Sequence, residues 1–467
     1  MIAQRSRLLR CAALLLAAFL VSCATLPDLS PEEAQTRADQ CTAVLPDSAL
    51  REAVGTKQKS LDFARSVATT ECALTGQRHI PGNAVLLLED GVATHRAQLD
   101  AIASARSSIH LDVYILRDDD LGQLYAKALE AKARAGVKVR LIYDSFGSIS
   151  TSDKFFDGLR DAGAELLEYN DVNPLKDPRL WRWNHRNHHK LLIVDGRIAF
   201  TGGINVSNEY SGESSLRKSA RKAGREGWRD TQVKIEGPAV AAFQRAFLHE
   251  WARSKPPVEP TPELFPDLKP RGHDIIELLT SPGEDLIDVM FPIGESKPNR
   301  KRIYTAYLAA MTHAQSRIWI TQAYFAPDDQ FIKVLRDAAK RGVDVRVVMP
   351  GVSDVSTSLN LQRHYYSRLL KAGIRLYEYE PAVMHAKTAT IDGVWSTVGS
   401  SNLDYRSFIH NDEANAIIVG RDFAQQMERL FEMDLEHSTE IKLDTWKDRG
   451  FWERTKEFGA VLVKYWI

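Results

Sequence analysis

The sequence predicts an α/β fold of two tandem domains that face each other as a pseudo-dimer, and two observations carry that prediction. The stretch His188-His189-Lys190-Leu191-Leu192-Ile193-Val194-Asp195 is matched 197 residues later by His385-Ala386-Lys387 through Asp392. Around both copies, strand-like and helix-like patterns alternate in the same order, as layered α/β folds do. Each copy reads His, any residue, Lys, four residues, Asp. Ten positions after each Asp comes an Asn in a turn of small residues, Gly202-Gly203-Ile204-Asn205 and Gly399-Ser400-Ser401-Asn402.

Taken in order, the chain opens with Arg5, Arg7 and Arg10 before an apolar run from Cys11 to Val21. That run is too short to span a bilayer as a helix and has the shape of a signal peptide, residues 1–22. Residues 23–82 read as a tether and N-terminal extension, with a helix expected over Pro31–Cys41. The first domain, 83–254, is expected to run helix Thr94–Ala105, strand Ile109–Ile115, helix Leu121–Ala135, strand Val137–Tyr143, helix Asp153–Ala162 and strand Glu165–Tyr169, then the motif strand. A proline-rich connector is expected over 255–290, on Lys255-Pro256-Pro257-Val258-Glu259-Pro260-Thr261-Pro262. The second domain, 291–440, repeats the course with helix Arg302–Ala314, strand Ile318–Tyr324, helix Asp329–Lys340 and strand Val343–Met349. A tail, 441–467, is expected to pack on it.

The repeat is not perfect. His188 lies 25 positions after Gly163, whereas His385 lies 12 after Gly373, so the first half carries an insertion within Asn170–Asn187 that includes Trp181 and Trp183. Lys and Arg total 61, as do Asp and Glu. Without the three arginines of 1–22 the balance is 58 minus 61, or −3, and this counts against nucleic acid as a partner.

On a strand, residues two apart share a face, so each motif projects its His beside its Lys. An imidazole next to a fixed cation suits an anionic phosphate ester. The paired motifs and their Gly-[Gly/Ser]-x-Asn sequels resemble the phospholipase D superfamily. The resemblance implies two α/β/α sandwich domains with the active site between them. It also implies a catalytic set of His188, Lys190, Asp195, His385, Lys387 and Asp392. By matching position, His188 is the expected nucleophile and His385 the proton donor to the leaving alcohol. Lys190, Lys387, Asn205 and Asn402 grip the phosphoryl oxygens, and Asp230 and Glu413 support the histidines. Asp195 and Asp392 close the motifs as structural supports. No cofactor or metal is expected, His185 and His189 are read as non-ligands, and Tyr114 and Tyr324, at equivalent strand ends, are assigned to the core.

Within the superfamily the chain is similar to bacterial cardiolipin synthases, through Arg197–Asn205, Trp228-Arg229-Asp230-Thr231, Glu236-Gly237-Pro238 and Ser401–Phe408. The resemblance implies membrane phospholipids as substrates, phosphatidylglycerol and an acceptor lipid, with hydrolytic phospholipase D or nucleic-acid phosphodiesterase activity as alternatives. Leu20-Val21-Ser22-Cys23 resembles a bacterial lipobox, so Cys23 is the expected lipid anchor, facing the periplasm from the outer membrane. Cys41 and Cys72 are then a candidate disulfide in an oxidising compartment.

Overall fold

The computed structural model describes residues 45–173, 183–212, 227–281 and 301–462. The signal peptide, Cys23, Cys41, the expected Pro31–Cys41 helix and Trp181 lie outside them. The first half contributes β1 (Ile80–Leu88), β2 (Ser108–Val113), β3 (Lys138–Asp144), β4 (Glu165–Tyr169), β5 (Arg186–Asn187), β6 (Lys190–Val194), β7 (Ile198–Gly202) and β8 (Gln232–Glu236). The second contributes β9 (Asp274–Ser281), β10 (Arg317–Gln322), β11 (Asp344–Pro350), β12 (Arg375–Tyr379), β13 (Lys387–Ile391), β14 (Trp395–Gly399), β15 (Asn411–Val419) and β16 (Ser438–Ile441).

These strands join in one sheet whose order exposes the repeat. Outward from the centre, the first half runs β1-β8-β7-β6-β2-β3-β4 and the second β9-β15-β14-β13-β10-β11-β12, with β16 beyond. β1 and β9 pair antiparallel. An antiparallel pair of equivalent strands has a local twofold between them, so the central ladder is where the pseudo-dimer is welded.

Helices cover both faces: α1 (Asp47–Val54), α2 (Gln58–Thr75), α3 (Gly91–Ser104), α4 (Asp120–Arg134), α5 (Asp153–Asp161), α6 (Val240–Ala252), α7 (Arg302–His313), α8 (Asp329–Lys340), α9 (Ser356–Lys371), α10 (Arg421–Glu436), α11 (Leu443–Lys447) and α12 (Phe451–Val461). The apolar run after Lys190 is buried on both sides because each side has its own helix layer. Leu192 and Val194 pack with Ile102, Leu129 and Phe156 of α3, α4 and α5. Leu191 and Ile193 face the other way, onto Phe243 and Phe247 of α6 and into a core shared with Ala414, Ala416 and Met427 of the second half. This two-residue period fixes the register, since a slip of one residue would carry His188 and Lys190 to the wrong face.

Two expectations change. β9 lies inside the stretch read as connector, because the proline signal ahead of it masked the apolar run Ile275-Ile276-Glu277-Leu278-Leu279; the second repeat's first strand begins at Asp274. From residue 45 on, the described part of the extension forms α1 and α2, with Leu50, Phe63 and Val67 buried against Tyr304 and Tyr307. The tail packs on the second half through Ala460 and through Trp446, whose ring lies 4.8 Å from that of Tyr366. Cys72, in α2, is disulfide-bonded; its expected partner Cys41 is outside the described residues.

Candidate active site

β6 and β13 occupy equivalent places in the two halves and bring His188 and His385 to one cleft of about 540 Å3, which Asn205, Asn402, Tyr114, Tyr210, Trp228, Tyr324 and Arg406 also line. Both histidines are buried and each is fixed from its Nδ1 side. His188 Nδ1 lies 2.9 and 3.0 Å from the two carboxylate oxygens of Glu413. His385 Nδ1 lies 2.7 Å from Asp230 Oδ2. A carboxylate accepts only, so the neutral rings carry their hydrogen on Nδ1 and present Nε2 as the reactive nitrogen.

The supports are exchanged between the halves: the first-half Asp230 holds the second-half His385, and the second-half Glu413 holds His188. The backbone repeats the exchange. His188 N–H donates to Asp412 O at 2.9 Å, and His385 N–H to Arg229 O at 2.7 Å. The residues beside the two carboxylates are charge-inverted counterparts. Arg229 is paired with Asp434 through two bonds of 2.8 and 2.9 Å, whereas Asp412 is held by His185 at 3.1 Å and Arg253 at 3.0 Å.

Lys190 Nζ donates to His188 O at 2.8 Å, and Lys387 Nζ to His385 O. Lys387 Nζ also lies 2.9 Å from His385 Nδ1. That nitrogen cannot donate to Asp230 and accept from an ammonium together, and the shorter contact with the carboxylate decides the tautomer. Asn205 is clamped by Ile115 N–H on its Oδ1 and Tyr210 on its Nδ2, at 3.1 and 2.9 Å. Asn402 Oδ1 is buried in the cleft wall without a hydrogen-bond partner among the described residues.

Burial first, then the ammonium groups of Lys190 and Lys387, holds His188 well below the ordinary imidazole value. Burial and Lys387 bring His385 to about 4, against the pull of Asp230. Burial lowers Lys190 to about 7 and Lys387 to about 8, and raises Glu413 to about 7. His385, the expected proton donor, is therefore not held as an imidazolium by its protein surroundings alone. Both imidazoles are pressed toward the neutral form, and a phosphodiester anion is the charge that would let one take up a proton.

Asp195 and Asp392 sit at the far ends of β6 and β13 and have no place in the catalytic set. Each occupies a left-handed backbone position, φ 52° and 54°, ahead of Gly196 and Gly393, at 61° and 65°. Two successive positive φ values in an Asp-Gly pair make the tight turn of a hairpin. The Asp195 carboxylate also accepts from the N–H groups of Arg106, Ser107 and Ser108, and Asp392 from those of Gln315, Ser316 and Arg317. Each motif aspartate thus ties its hairpin to the start of the neighbouring strand.

The glycines have a similar explanation. A Cβ on Gly203 would fall 2.1 Å from Asp230 Oδ1, so the turn after β7 must be bare where the carboxylate approaches. In the second half Ser400 takes that position, and its hydroxyl donates to Glu413.

A model of the family described as cardiolipin synthase, phospholipase D-like domain matches residues 99–215 and 307–435. A cardiolipin synthase of Alkalihalophilus pseudofirmus is 34% identical over 380 residues, covering 81% of this chain and 71% of that protein. Cardiolipin synthase 1 of Bacillus anthracis is 35% identical over 376 residues, covering 79% and 70%. The chain belongs to the cardiolipin synthase family of phospholipase D-like proteins. The crystal structure of a phosphatidylserine synthase from Haemophilus influenzae, at 12% identity and a TM-score of 0.59, covers 85% of this chain and 98% of that one, a likeness of fold.

Against this cardiolipin synthase framework the aromatic lining corrects the sequence reading. Tyr114 and Tyr324 face the cleft: the Tyr114 ring stands 4.9 Å from that of His188, and the Tyr324 ring 6.4 Å from that of His385. They follow the last residues of β2 and β10, where the strands have left the core and open on the site. Tyr210 had no sequence signal, and Trp228 entered only within a stretch of family resemblance and without a role, yet their rings lie 5.6 and 5.2 Å from that of His385. His185 and His189 are engaged by Asp412 and Asp112. Burial opposes a charge on His189, but its bond to Asp112 outweighs that and lifts it to about 9.

Proposed function

We propose that the cleft transfers a phosphatidyl group from one phosphatidylglycerol to the glycerol hydroxyl of another through a phosphohistidine. Membership of the cardiolipin synthase family supports phosphatidyl transfer and phospholipid substrates. The observation that carries the mechanism is the pair of Nδ1-anchored histidines sharing one cleft with two asparagines, each histidine with its motif lysine bonded to its own carbonyl. In the first step His188 Nε2 attacks phosphorus, the bond to the glycerol oxygen breaks, and His385 gives that oxygen a proton. In the second, the incoming hydroxyl gives its proton to His385 while its oxygen attacks phosphorus, and the P–N electron pair returns to His188. Lys190, Lys387, Asn205 and Asn402 steady the phosphoryl oxygens as charge builds.

Exposed Phe146, Ile149 and Val355 line the cleft mouth, an apolar lip suited to acyl chains. Among the described residues no helix is long and apolar enough to cross a membrane. Our reading assigns anchorage to an acylated Cys23, with the enzyme facing the periplasm from the outer membrane; radiolabelled fatty acid should enter the wild type and not Cys23→Ser.

Purified protein in phosphatidylglycerol vesicles should release one glycerol for each cardiolipin formed. Phosphatidic acid as the sole phosphorus product, whatever acceptor is supplied, would move the assignment to hydrolysis.

A further inference from the structure

Away from the cleft, a second cluster of ionisable side chains lies where the N-terminal extension meets the centre of the sheet. Glu71 projects from α2, His79 precedes β1 and Glu277 lies on β9. Their accessibilities are 0, 6 and 1%, so water is shut out. His79 Nε2 is 3.0 Å from Glu71 Oε2 and 3.4 Å from Glu277 Oε2. Among the described residues all three atoms nevertheless lack a hydrogen-bond partner, because neither short contact has hydrogen-bond geometry. Buried polar atoms left this way are rare and call for a ligand.

The remaining carboxylate oxygens are oriented from behind. Trp395 Nε1–H donates to Glu71 Oε1 at 3.0 Å, and Thr75 Oγ1 lies 3.2 Å from Glu277 Oε1. Such outer contacts turn one oxygen of each carboxylate toward a common point. The three free atoms lie within 4.8 Å of one another. Ligand atoms about 2.0–2.2 Å from a tetrahedral cation are separated by roughly 3.3 Å, close to both contacts of His79.

We propose that Glu71, His79 and Glu277 bind one divalent transition-metal cation that clamps the N-terminal extension to β1 and β9, the paired central strands. One imidazole with two carboxylates is a borderline set, fitted to zinc or manganese better than to magnesium, which keeps its waters. A dication would neutralise the two carboxylates, which are shut away from solvent at this site. The site is separate from the phosphoryl chemistry and gives the extension a task.

The test uses the full chain, stripped with EDTA and then loaded with zinc sulfate, with magnesium sulfate as comparison. Elemental analysis after gel filtration should find one zinc per chain, and the zinc-loaded protein should melt at a higher temperature than the stripped one. Glu277→Gln and His79→Gln each keep a polar group of similar size. They should bind zinc at least tenfold more weakly and lose the zinc-dependent rise in Tm, while turnover in vesicles is unchanged. Retention of one zinc by both variants would place the metal elsewhere, the catalytic histidines included, and overturn the proposal. A wild type that holds no zinc and melts identically with and without it would also overturn it, leaving a proton-sharing cluster.

Discussion

At the scale of the residue, the proposed mechanism meets an apparent conflict, since His385, its proton donor, is pressed down to about 4 and is neutral at pH 7. The phosphodiester resolves it by bringing the anion that charges His385. Binding of a phosphate-like anion such as tungstate at pH 7 should therefore take up a fraction of a proton, at most about one. Titration calorimetry in buffers of different ionisation enthalpy should detect that uptake in the wild type and lose it in His385→Asn. His188→Ala and His385→Ala should each abolish turnover, because the proposed covalent route needs both nitrogens. The lysines set the alkaline side. With Lys190 at about 7 and Lys387 at about 8, both ammonium groups are present below pH 7 and are lost as pH rises through 8. KM for phosphatidylglycerol in mixed micelles should climb across pH 7–9 more than kcat falls, since bound phosphate restores the lysine charge. A flat KM would mean that the lysines do not grip the headgroup.

At the scale of the element, the segment Trp228–Thr231 supplies the cleft, the support for His385 and a structural pair at once. Arg229 and Asp434 are both buried and joined by two hydrogen bonds. Asp434→Ala would strand the guanidinium in the core and should cost about 3–5 kcal/mol in denaturant unfolding. Turnover should fall too, because Arg229 O holds the His385 backbone. Gly203→Ala should leave the fold nearly as stable but displace Asp230, with a fall in activity of tenfold or more. The motif strands and their ligand faces were legible in the sequence because a two-residue period and a repeated spacing are local signals. The partners of Asp230 and Glu413 were not. Chain order suggests that a support serves its own repeat, and it is the packing of the two halves, through the β1–β9 ladder and the backbone bonds of His188 and His385, that makes it serve the other. The places of Tyr210 and Trp228 beside His385 were hidden for the same reason, since they reach it across 175 and 157 positions of chain. Glu71, His79 and Glu277 come together only after the extension has packed.

At the scale of the whole molecule, the exchange of supports decides how damage spreads. A lesion at Asp230 is felt by a histidine that the other half of the gene encodes, so a map of defects by position would name the wrong domain. Genetically, the two repeats are each other's suppressors and enhancers. The double variant Asp230→Asn with His385→Ala should turn over no more slowly than His385→Ala alone, whereas Asp230→Asn with Glu413→Gln should be slower than either single change. Two such repeats cannot drift apart independently. A copy that lost its own chemistry would still be retained for the carboxylate it lends, which ties the fate of each half to a histidine it does not contain.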